Sequence, residues 1–425
     1  MLPLKETAWQ RSAAGIGAAG STTSIKSSAS EDSCMRVVYF TRPLEEAQPG
    51  VSKKMIAQIR SLQSLGVDAK IFSFRDRAGL EPGEVTPDQI FYSRPKTACD
   101  PGMTLGALLR RDICINQALR DLFALLGPTD VIYCRVPPLS ISTIRSLQRP
   151  RSCRLVVEFQ CIESRERWSS GEYLIALHDI LFGRILRRKI DGIVGVTDEI
   201  TAYQVKRAGS SSIPHVTIEN GFAVDSVPQR DAPAMRDGEL RILCVANVSR
   251  WHGLDRLIRG IAACSGMPGI ALHIAGGGPE IPRLRSLAGD LGISERVVFH
   301  GFLAGEDLSA LFDRCHVAVG SLGMHRKGLT QTAELKAREY CARGIPYIMA
   351  CADPDFSADF PYILRVPPDE SPIDIRSILA FAGEVCADAD HPQKMRTYAR
   401  EHLDWSVKMK KLKGFLETVT LGAAG

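Results

Sequence analysis

The sequence predicts an α/β protein of two domains facing each other across a cleft, each a parallel sheet covered by helices. Three observations carry this. From Met35 onward, short apolar runs alternate with helical patterns, and such alternation builds parallel sheets with helices on their faces. The 425 residues exceed one ordinary domain and fit two of roughly 150–200 residues. A polar stretch carrying Pro228, Asp231, Pro233 and Asp237 divides the alternation into two series.

The first series has strands expected over 35–40, Ala69–Phe74, Val131–Cys134, Leu155–Phe159, Gly192–Val196 and Val216–Glu219. Helices are expected over Ser52–Leu65, Leu105–Leu126 and Tyr173–Lys189. After Asn220-Gly221 the chain turns loop-like. That places a linker over 226–239, between a first domain of residues 35–225 and a second of 240–400. The second series has strands expected over Arg241–Ala246, Ala271–Ala275, Arg296–His300, His316–Val319, Tyr347–Ala350 and Tyr362–Val366. Its helices are expected over Leu254–Ala263, Glu280–Leu291, Gly305–Arg314, Ala333–Ala342 and Ile373–Val385. A last helix, Trp405–Leu416, lies in a closing segment of residues 401–425. In open parallel sheets, ligands bind outside the carboxyl ends of the strands, so two such sheets in tandem suit an interdomain site.

Residues 12–33 are rich in Ser, Ala, Gly and Thr, with little to bury. Residues 1–34 are therefore expected to be a disordered tail, ahead of a second candidate start at Met35. They lack the continuous apolar core of a signal peptide. Hydrophobic residues at 45% and charged residues at 24% are ordinary globular usage. A net charge of +5 admits anionic ligands and does not point to nucleic acid. No apolar run approaches the roughly 20 residues that span a bilayer. The 12 cysteines are scattered, without a C-x-x-C pair. That argues against structural zinc and a disulfide framework, and for reduced thiols in a cytoplasmic protein.

The segment richest in chemistry runs from Arg326 to Ile348. It reads as a basic loop entering a helix, with Thr332 as a cap and Glu334 in the first turn. Gly344 stops the helix and Pro346 leads into a strand. Lys336, Glu339 and Tyr340 stand three and four residues apart, on one helix face. A helix N-terminus presents free N–H groups to an anion, and Lys336 and the Arg326/Lys327 pair add positive charge. Glu339 can accept hydrogen bonds from ribose hydroxyls. Diphosphate plus ribose is what a sugar nucleotide offers. The plainer alternative is that Lys336 and Glu339 form a surface pair.

The run Glu339-Tyr340-Cys341-Ala342-Arg343-Gly344-Ile345-Pro346 resembles the Glu-(Ala/Tyr)-x-Ala-x-Gly-x-Pro signature of glycosyltransferase family 4, the group-1 glycosyltransferases of the GT-B fold. Ala246–Ile258, the loop Ala275-Gly276-Gly277-Gly278-Pro279-Glu280 and Val297-Val298-Phe299-His300-Gly301-Phe302 are similar to further elements of the same family. So are Gly192–Asp198 and Ile218-Glu219-Asn220-Gly221. The resemblance spans Gly192 to Trp405. It implies two Rossmann-like domains, with the closing helix of Trp405 crossing back to the first. It also implies a nucleoside-diphosphate sugar as donor and transfer with retention of anomeric configuration. Neither a metal nor another cofactor is expected.

By motif, Glu339 would bind the donor ribose and Arg250 the donor diphosphate. Arg250 and Lys336 would act as the catalytic cations. Gln331, Thr330, Lys327, Gly277 and Gly301 complete the expected donor side. Three positions depart from the pattern. Gln331 stands where the first Glu of Glu-x7-Glu is expected, and brings no charge. His252 stands where a lysine is usual, leaving its role to Lys336 or Lys327. Gly50, in the loop Gln48–Lys54, stands alone where two adjacent glycines are common. It is either an acceptor-side contact or a plain turn.

The helix ending Ile180–Lys189 is amphipathic and basic. It either lies on an anionic bilayer, which suits a lipid-linked acceptor, or packs on a core. We read it as core-facing, and the lysine-rich closing helix likewise. The expected function is transfer of a sugar from a nucleoside-diphosphate sugar to a carbohydrate or lipid-linked acceptor hydroxyl, in polysaccharide or glycoconjugate biosynthesis. A peripheral membrane contact stays open and no nucleic-acid partner is expected. Two alternatives stand: a non-catalytic nucleotide- or glycan-binding scaffold, or a sugar-nucleotide epimerase. A nicotinamide oxidoreductase is disfavoured, since Gly276-Gly277-Gly278 lacks the Gly-x-Gly-x-x-Gly spacing.

Overall fold

The computed structural model describes residues 35–40, 49–76, 89–94, 116–117, 119–120, 122–124, 126–135, 152–169, 171, 173–236, 239–264, 266 and 269–421. The expected tail of residues 1–34 lies outside them, as does 105–115 of the expected helix Leu105–Leu126. The chain forms two compact units. The first holds the described residues up to Val196, with Ile200–Ile218 and the chain from Met409. The second holds Thr197–Glu199 and Glu219–Lys408.

The first unit is a seven-stranded sheet built from β1 (Arg36–Phe40), β2 (Asp68–Asp76), β3 (Gln89–Arg94), β4 (Val131–Arg135), β5 (Arg154–Phe159), β6 (Gly192–Gly195) and β7 (His215–Thr217). Their order is β3-β2-β1-β4-β5-β6-β7, and every pairing is parallel. Val37, Val38 and Tyr39 are all fully buried, as a strand covered on both faces requires. The helices are α1 (Pro49–Ser64), α2 (Glu163–Ser169), α3 (Tyr173–Arg187) and α4 (Asp198–Ala208). Proline suits the first turn of a helix, so α1 begins at Pro49 and Gly50 lies in its first turn. This corrects the expected loop through Lys54.

Helix α3 also departs from expectation. Asp179, Gly183 and Arg187 face inward, while Leu177, Ile180, Leu181 and Ile185 are exposed. The cause is polar. Arg187 Nη1 donates to Asp179 (3.0 Å), Nε to Gln204 of α4 (2.6 Å) and Nη2 to Glu163 of α2 (3.2 Å). A hydrogen-bonded buried guanidinium replaces an apolar contact here. The core-facing reading holds for the face of Ala176, Leu186 and Arg187 and fails for the stripe of Leu177, Ile180, Leu181 and Ile185.

The second unit has β8 (Leu240–Val245), β9 (Ile270–Ala275), β10 (Val297–Gly301), β11 (Val317–Val319), β12 (Tyr347–Met349) and β13 (Ile363–Arg365). They form a parallel sheet ordered β10-β9-β8-β11-β12-β13. Its helices are α5 (Leu254–Ala263), α6 (Ile281–Asp290), α7 (Gly305–Arg314), α8 (Leu335–Arg343), α9 (Ile375–Cys386), α10 (His391–Tyr398) and α11 (Trp405–Leu421). Leu254, Leu257, Ile258 and Ile261 of α5 are buried at helical spacing. They join Ile242, Ile274 and Ile348 in the core.

The polar stretch after Asn220 is anchored to this unit. Arg230 is buried; its Nε donates to Gly344 O (2.9 Å) and its N–H to Arg343 O (2.9 Å). Helix α11 begins in the second unit, and from Met409 onward it belongs to the first. Met409, Leu412 and Leu416 are buried, so its lysines sit on a core-facing helix as expected. Among the described residues no helix is long and apolar enough to cross a membrane.

Candidate functional site

The second sheet reverses its winding between β8 and β11. In such sheets the crevice outside that point takes the ligand. The expected residues follow the strand ends around it. Arg250 follows β8, Gly277 follows β9, Gly301 closes β10 and Lys327 follows β11. The floor is stitched by Tyr340 of α8. Its hydroxyl donates to Val319 O (3.2 Å) and accepts from Val245 N–H (3.1 Å).

After β8, a turn of 3-10 helix, Arg250–His252, ends at Gly253 in the left-handed region (φ 64°). Ser249 N–H donates to His252 Nδ1 (2.9 Å), so the proton of the neutral ring sits on Nε2. Burial, with Lys336 and Lys327 nearby, holds the His252 pKa well below its ordinary value. It is therefore an uncharged group. Arg250 is exposed, and no hydrogen bond or ion pair engages its guanidinium among the described residues. Its carbonyl accepts from Arg326 Nη1 (2.7 Å).

Residues 324–327 form a second 3-10 turn. Lys327 Nζ lies 4.5 Å from the centre of the Trp251 ring, which joins the two turns. Arg326 is not available to a phosphate, contrary to expectation. It pairs with Asp255 (2.9 and 3.0 Å) and with Glu370.

Helix α8 starts at Leu335, with Glu334 as its N-cap. Thr332 is not the cap; its N–H instead donates to Ala352 O (2.9 Å). Lys336 Nζ lies 3.3 Å from Glu334 Oε2, and both side chains are 12% exposed. Neither atom makes a hydrogen bond, although both are buried. Glu334 Oε1 accepts from Ser321 N–H (3.1 Å), which fixes the carboxylate against the loop after β11. Lys336 and Glu339 do not pair with each other. Glu339 Oε1 accepts from Arg343 Nε (2.9 Å), and that guanidinium stacks over Phe312 (4.4 Å).

Thr330 and Gln331 are turned to a residue that the sequence did not single out. Glu199 Oε2 accepts from Thr330 N–H (2.9 Å), Thr330 Oγ1 (3.1 Å) and Gln331 N–H (3.1 Å). Gln331 Oε1 accepts from Glu199 N–H in return (3.0 Å). Nothing local in the sequence signals a contact across 132 residues.

Among the glycines after β9, Gly276 (φ 126°) and Gly278 (φ 127°) have no room for a side chain. A Cβ would lie 2.0 Å from Ala246 O and 2.3 Å from Val248 O respectively. Gly277 is open, with nothing within 4 Å, and its carbonyl accepts from Val248 N–H (2.6 Å). Gly301 (φ 70°) has the same openness.

Beneath α8, Arg338 is fully buried between Asp353 (2.8 Å at Oδ1) and Asp355. Burial opposes its charge, but the two carboxylates outweigh it and raise its pKa. Arg338 Nε also donates to Asn220 O (2.8 Å), while Asn220 Nδ2 donates to Ala333 O (2.7 Å). The network holds the helix N-terminus in place.

In the first unit, the corresponding crevice between β1 and β4 is filled by a buried Lys54–Glu158 pair, with Tyr39 donating to Glu158 (3.2 Å). Burial pushes Lys54 down to about 8. Gly50 lies about one turn ahead of Lys54 and has open space around it.

This architecture is the two-domain GT-B fold of glycosyltransferases. Sucrose-phosphate synthase (tll1590) from Thermosynechococcus elongatus matches 92% of this chain and 100% of its own, with TM-score 0.67 at 15% identity. HepE (Alr3699) from Anabaena, solved in complex with UDP-glucose, matches 90% of this chain and 99% of its own, with TM-score 0.59 at 15% identity. At that identity the likeness shows the fold alone.

Residues 227–350 match the family "Glycosyl transferases group 1". In sequence, the chain is 33% identical over 138 residues to the GDP-mannose-dependent alpha-(1-6)-phosphatidylinositol monomannoside mannosyltransferase of Mycobacterium tuberculosis. The match covers 30% of this chain and 35% of the relative. The Mycolicibacterium smegmatis enzyme of the same name is 32% identical over 138 residues, 30% of this chain and 36% of its own. The matched segment spans about a third of these relatives' length.

Proposed function

We propose that the protein transfers a sugar from a nucleoside-diphosphate sugar to an acceptor hydroxyl, with retention. The carrying observation is the buried Lys336 ammonium, which makes no hydrogen bond at the amino end of α8. A buried ammonium with one carboxylate at 3.3 Å and no hydrogen bond has donor capacity left unused, which calls for an explanation. An anionic ligand at the helix N-terminus supplies one.

In this reading Lys336, Arg250 and the first-turn N–H groups of α8 meet the departing diphosphate and take up its charge. No protein nucleophile or metal is required for that role. The Glu339 carboxylate, steadied by Arg343, accepts from the donor ribose. Gly277 and Gly301 leave room for the donor to approach the strand ends. The family supports the donor class, since the mycobacterial relatives are named as GDP-mannose-dependent and HepE was solved with UDP-glucose. The acceptor is a carbohydrate or lipid-linked hydroxyl in polysaccharide or glycoconjugate synthesis. The protein then works in the cytoplasm, at the membrane face when the acceptor is lipid-linked.

One observation favours a second reading. Thr330 and Gln331 are occupied by Glu199 rather than presented to a sugar, which suits a non-catalytic nucleotide-binding scaffold. Incubation of the protein with UDP- and GDP-sugars separates the two. Glycosyl transfer, or slow donor hydrolysis, that is lost in Lys336→Ala supports the transferase. Nucleotide binding with neither reaction supports the scaffold.

A further inference from the structure

Helix α3 carries an exposed apolar stripe that the transfer reading does not use. Leu177, Ile180, Leu181 and Ile185 recur at helical spacing, with Leu181 60% and Leu177 47% exposed. Trp168 and Tyr173 extend it at the amino end, 57% exposed each, with ring centroids 5.0 Å apart. Apolar residues of this size clustered at a surface mark an interaction site. The inward face of α3 is already satisfied by Arg187, so the stripe is not a core face turned the wrong way.

Charge identifies the partner. Arg184, Arg188 and Lys189 are exposed at the carboxyl end of the same stripe. The one acid of the helix, Asp179, is buried against Arg187. Glu163 of the packed helix α2 is bound to Arg187 and Gln204. Arg207 of α4 donates to the carbonyls of Asp179 and Ile180 (2.8 Å each), adding a cation beside the stripe. An apolar face with aromatic residues at one end and cations at the other fits a bilayer interface bearing anionic headgroups.

We propose that α3, with Trp168 of α2, is the surface by which this protein lies on an anionic membrane. The inference rests on the proposed function only for the lipid-linked acceptor that such docking would serve. Its test needs neither donor nor transfer.

Full-length protein is sedimented with vesicles of phosphatidylcholine, alone or with about one third phosphatidylglycerol. Binding is expected to the anionic vesicles only, and to weaken as salt rises. Leu177→Ser with Leu181→Ser, both on the exposed face, should lower it about tenfold. Arg184→Ser with Lys189→Ser should remove the preference for phosphatidylglycerol. Independently of these variants, brominated lipid should quench native tryptophan fluorescence, and Trp168→Phe should abolish the quenching. Failure of the native protein to sediment with anionic vesicles overturns the inference, as does quenching unchanged in Trp168→Phe. A third contradictory outcome is a dimer that the Leu177/Leu181 variant dissociates without loss of vesicle binding, since the stripe then covers a second copy. Nucleotide binding measured on the same samples keeps the two proposals apart.

Discussion

Lys336 Nζ lies 3.3 Å from Glu334 Oε2, yet neither atom makes a hydrogen bond. The pair sits at the amino end of α8, facing a neutral His252. Two stability consequences follow from its burial. Glu334→Gln leaves the ammonium without its counter-charge and should cost about 3 kcal/mol in urea unfolding. Inorganic phosphate or UDP should restore part of that loss. Replacing both partners, Glu334→Gln with Lys336→Met, should change stability by less than about 1 kcal/mol, because two apolar or neutral groups need no pairing. Equal losses in the single and double variants would count against a buried pair.

The three glycines after β9 should separate cleanly. Alanine at Gly276 or Gly278 meets backbone oxygen at 2.0 or 2.3 Å. Each should destabilise the second unit by more than about 3 kcal/mol. Gly277→Ala has open space and should stay within about 0.5 kcal/mol of the native protein. If it also weakens nucleotide binding, Gly277 faces the donor. Thermal melts with and without nucleotide give both readings.

Arg338 is the structural cation beneath the site. Arg338→Met leaves Asp353 and Asp355 buried without their partner and should cost about 4 kcal/mol. Arg250→Gln, at an exposed position, should leave stability within about 0.5 kcal/mol. A comparable loss in both would mean that Arg250 has a structural partner.

His273 of β9 lies 3.0 Å from His300 of β10. Burial, followed by His300 and the nearby arginines, pushes its pKa from 6.5 to about 4. The folded value lies below the unfolded one, so the unfolded chain binds the proton more readily. The contribution is fully present above pH 6.5 and is lost as pH falls from there toward 4. Urea midpoints of His273→Gln should therefore vary less across this window than those of the native protein. Parallel profiles would remove His273 from the account.

Much of this was legible in the sequence where local patterns decide structure. The α5 stripe Leu254–Ala263 and the helix Gly305–Arg314 have the expected bounds. The strand-end loops bring Arg250, Lys327 and Lys336 to one crevice because topology fixes the ends of parallel strands on one side. What escaped was set by distant partners or weak periodicity. Helix α10, His391–Tyr398, reads as polar and carries an early proline. Strand β3, Gln89–Arg94, is a short edge strand with little contrast to its surroundings. The capture of Thr330 and Gln331 by Glu199, the locking of Arg326 by Asp255 and Glu370, and the inverted face of α3 each depend on contacts far along the chain. Apolar spacing reports a helix face but not which side is buried when an arginine network makes the inner contact.

Lys336 and Arg250 are the proposed diphosphate site. Isothermal titration of UDP and GDP into native protein, Lys336→Ala and Arg250→Gln tests it most directly. One nucleotide should bind the native protein, with each substitution weakening it at least about tenfold, or about 1.4 kcal/mol. Binding of that nucleotide with unchanged affinity in both variants, or of neither nucleotide to the native protein, would contradict the account.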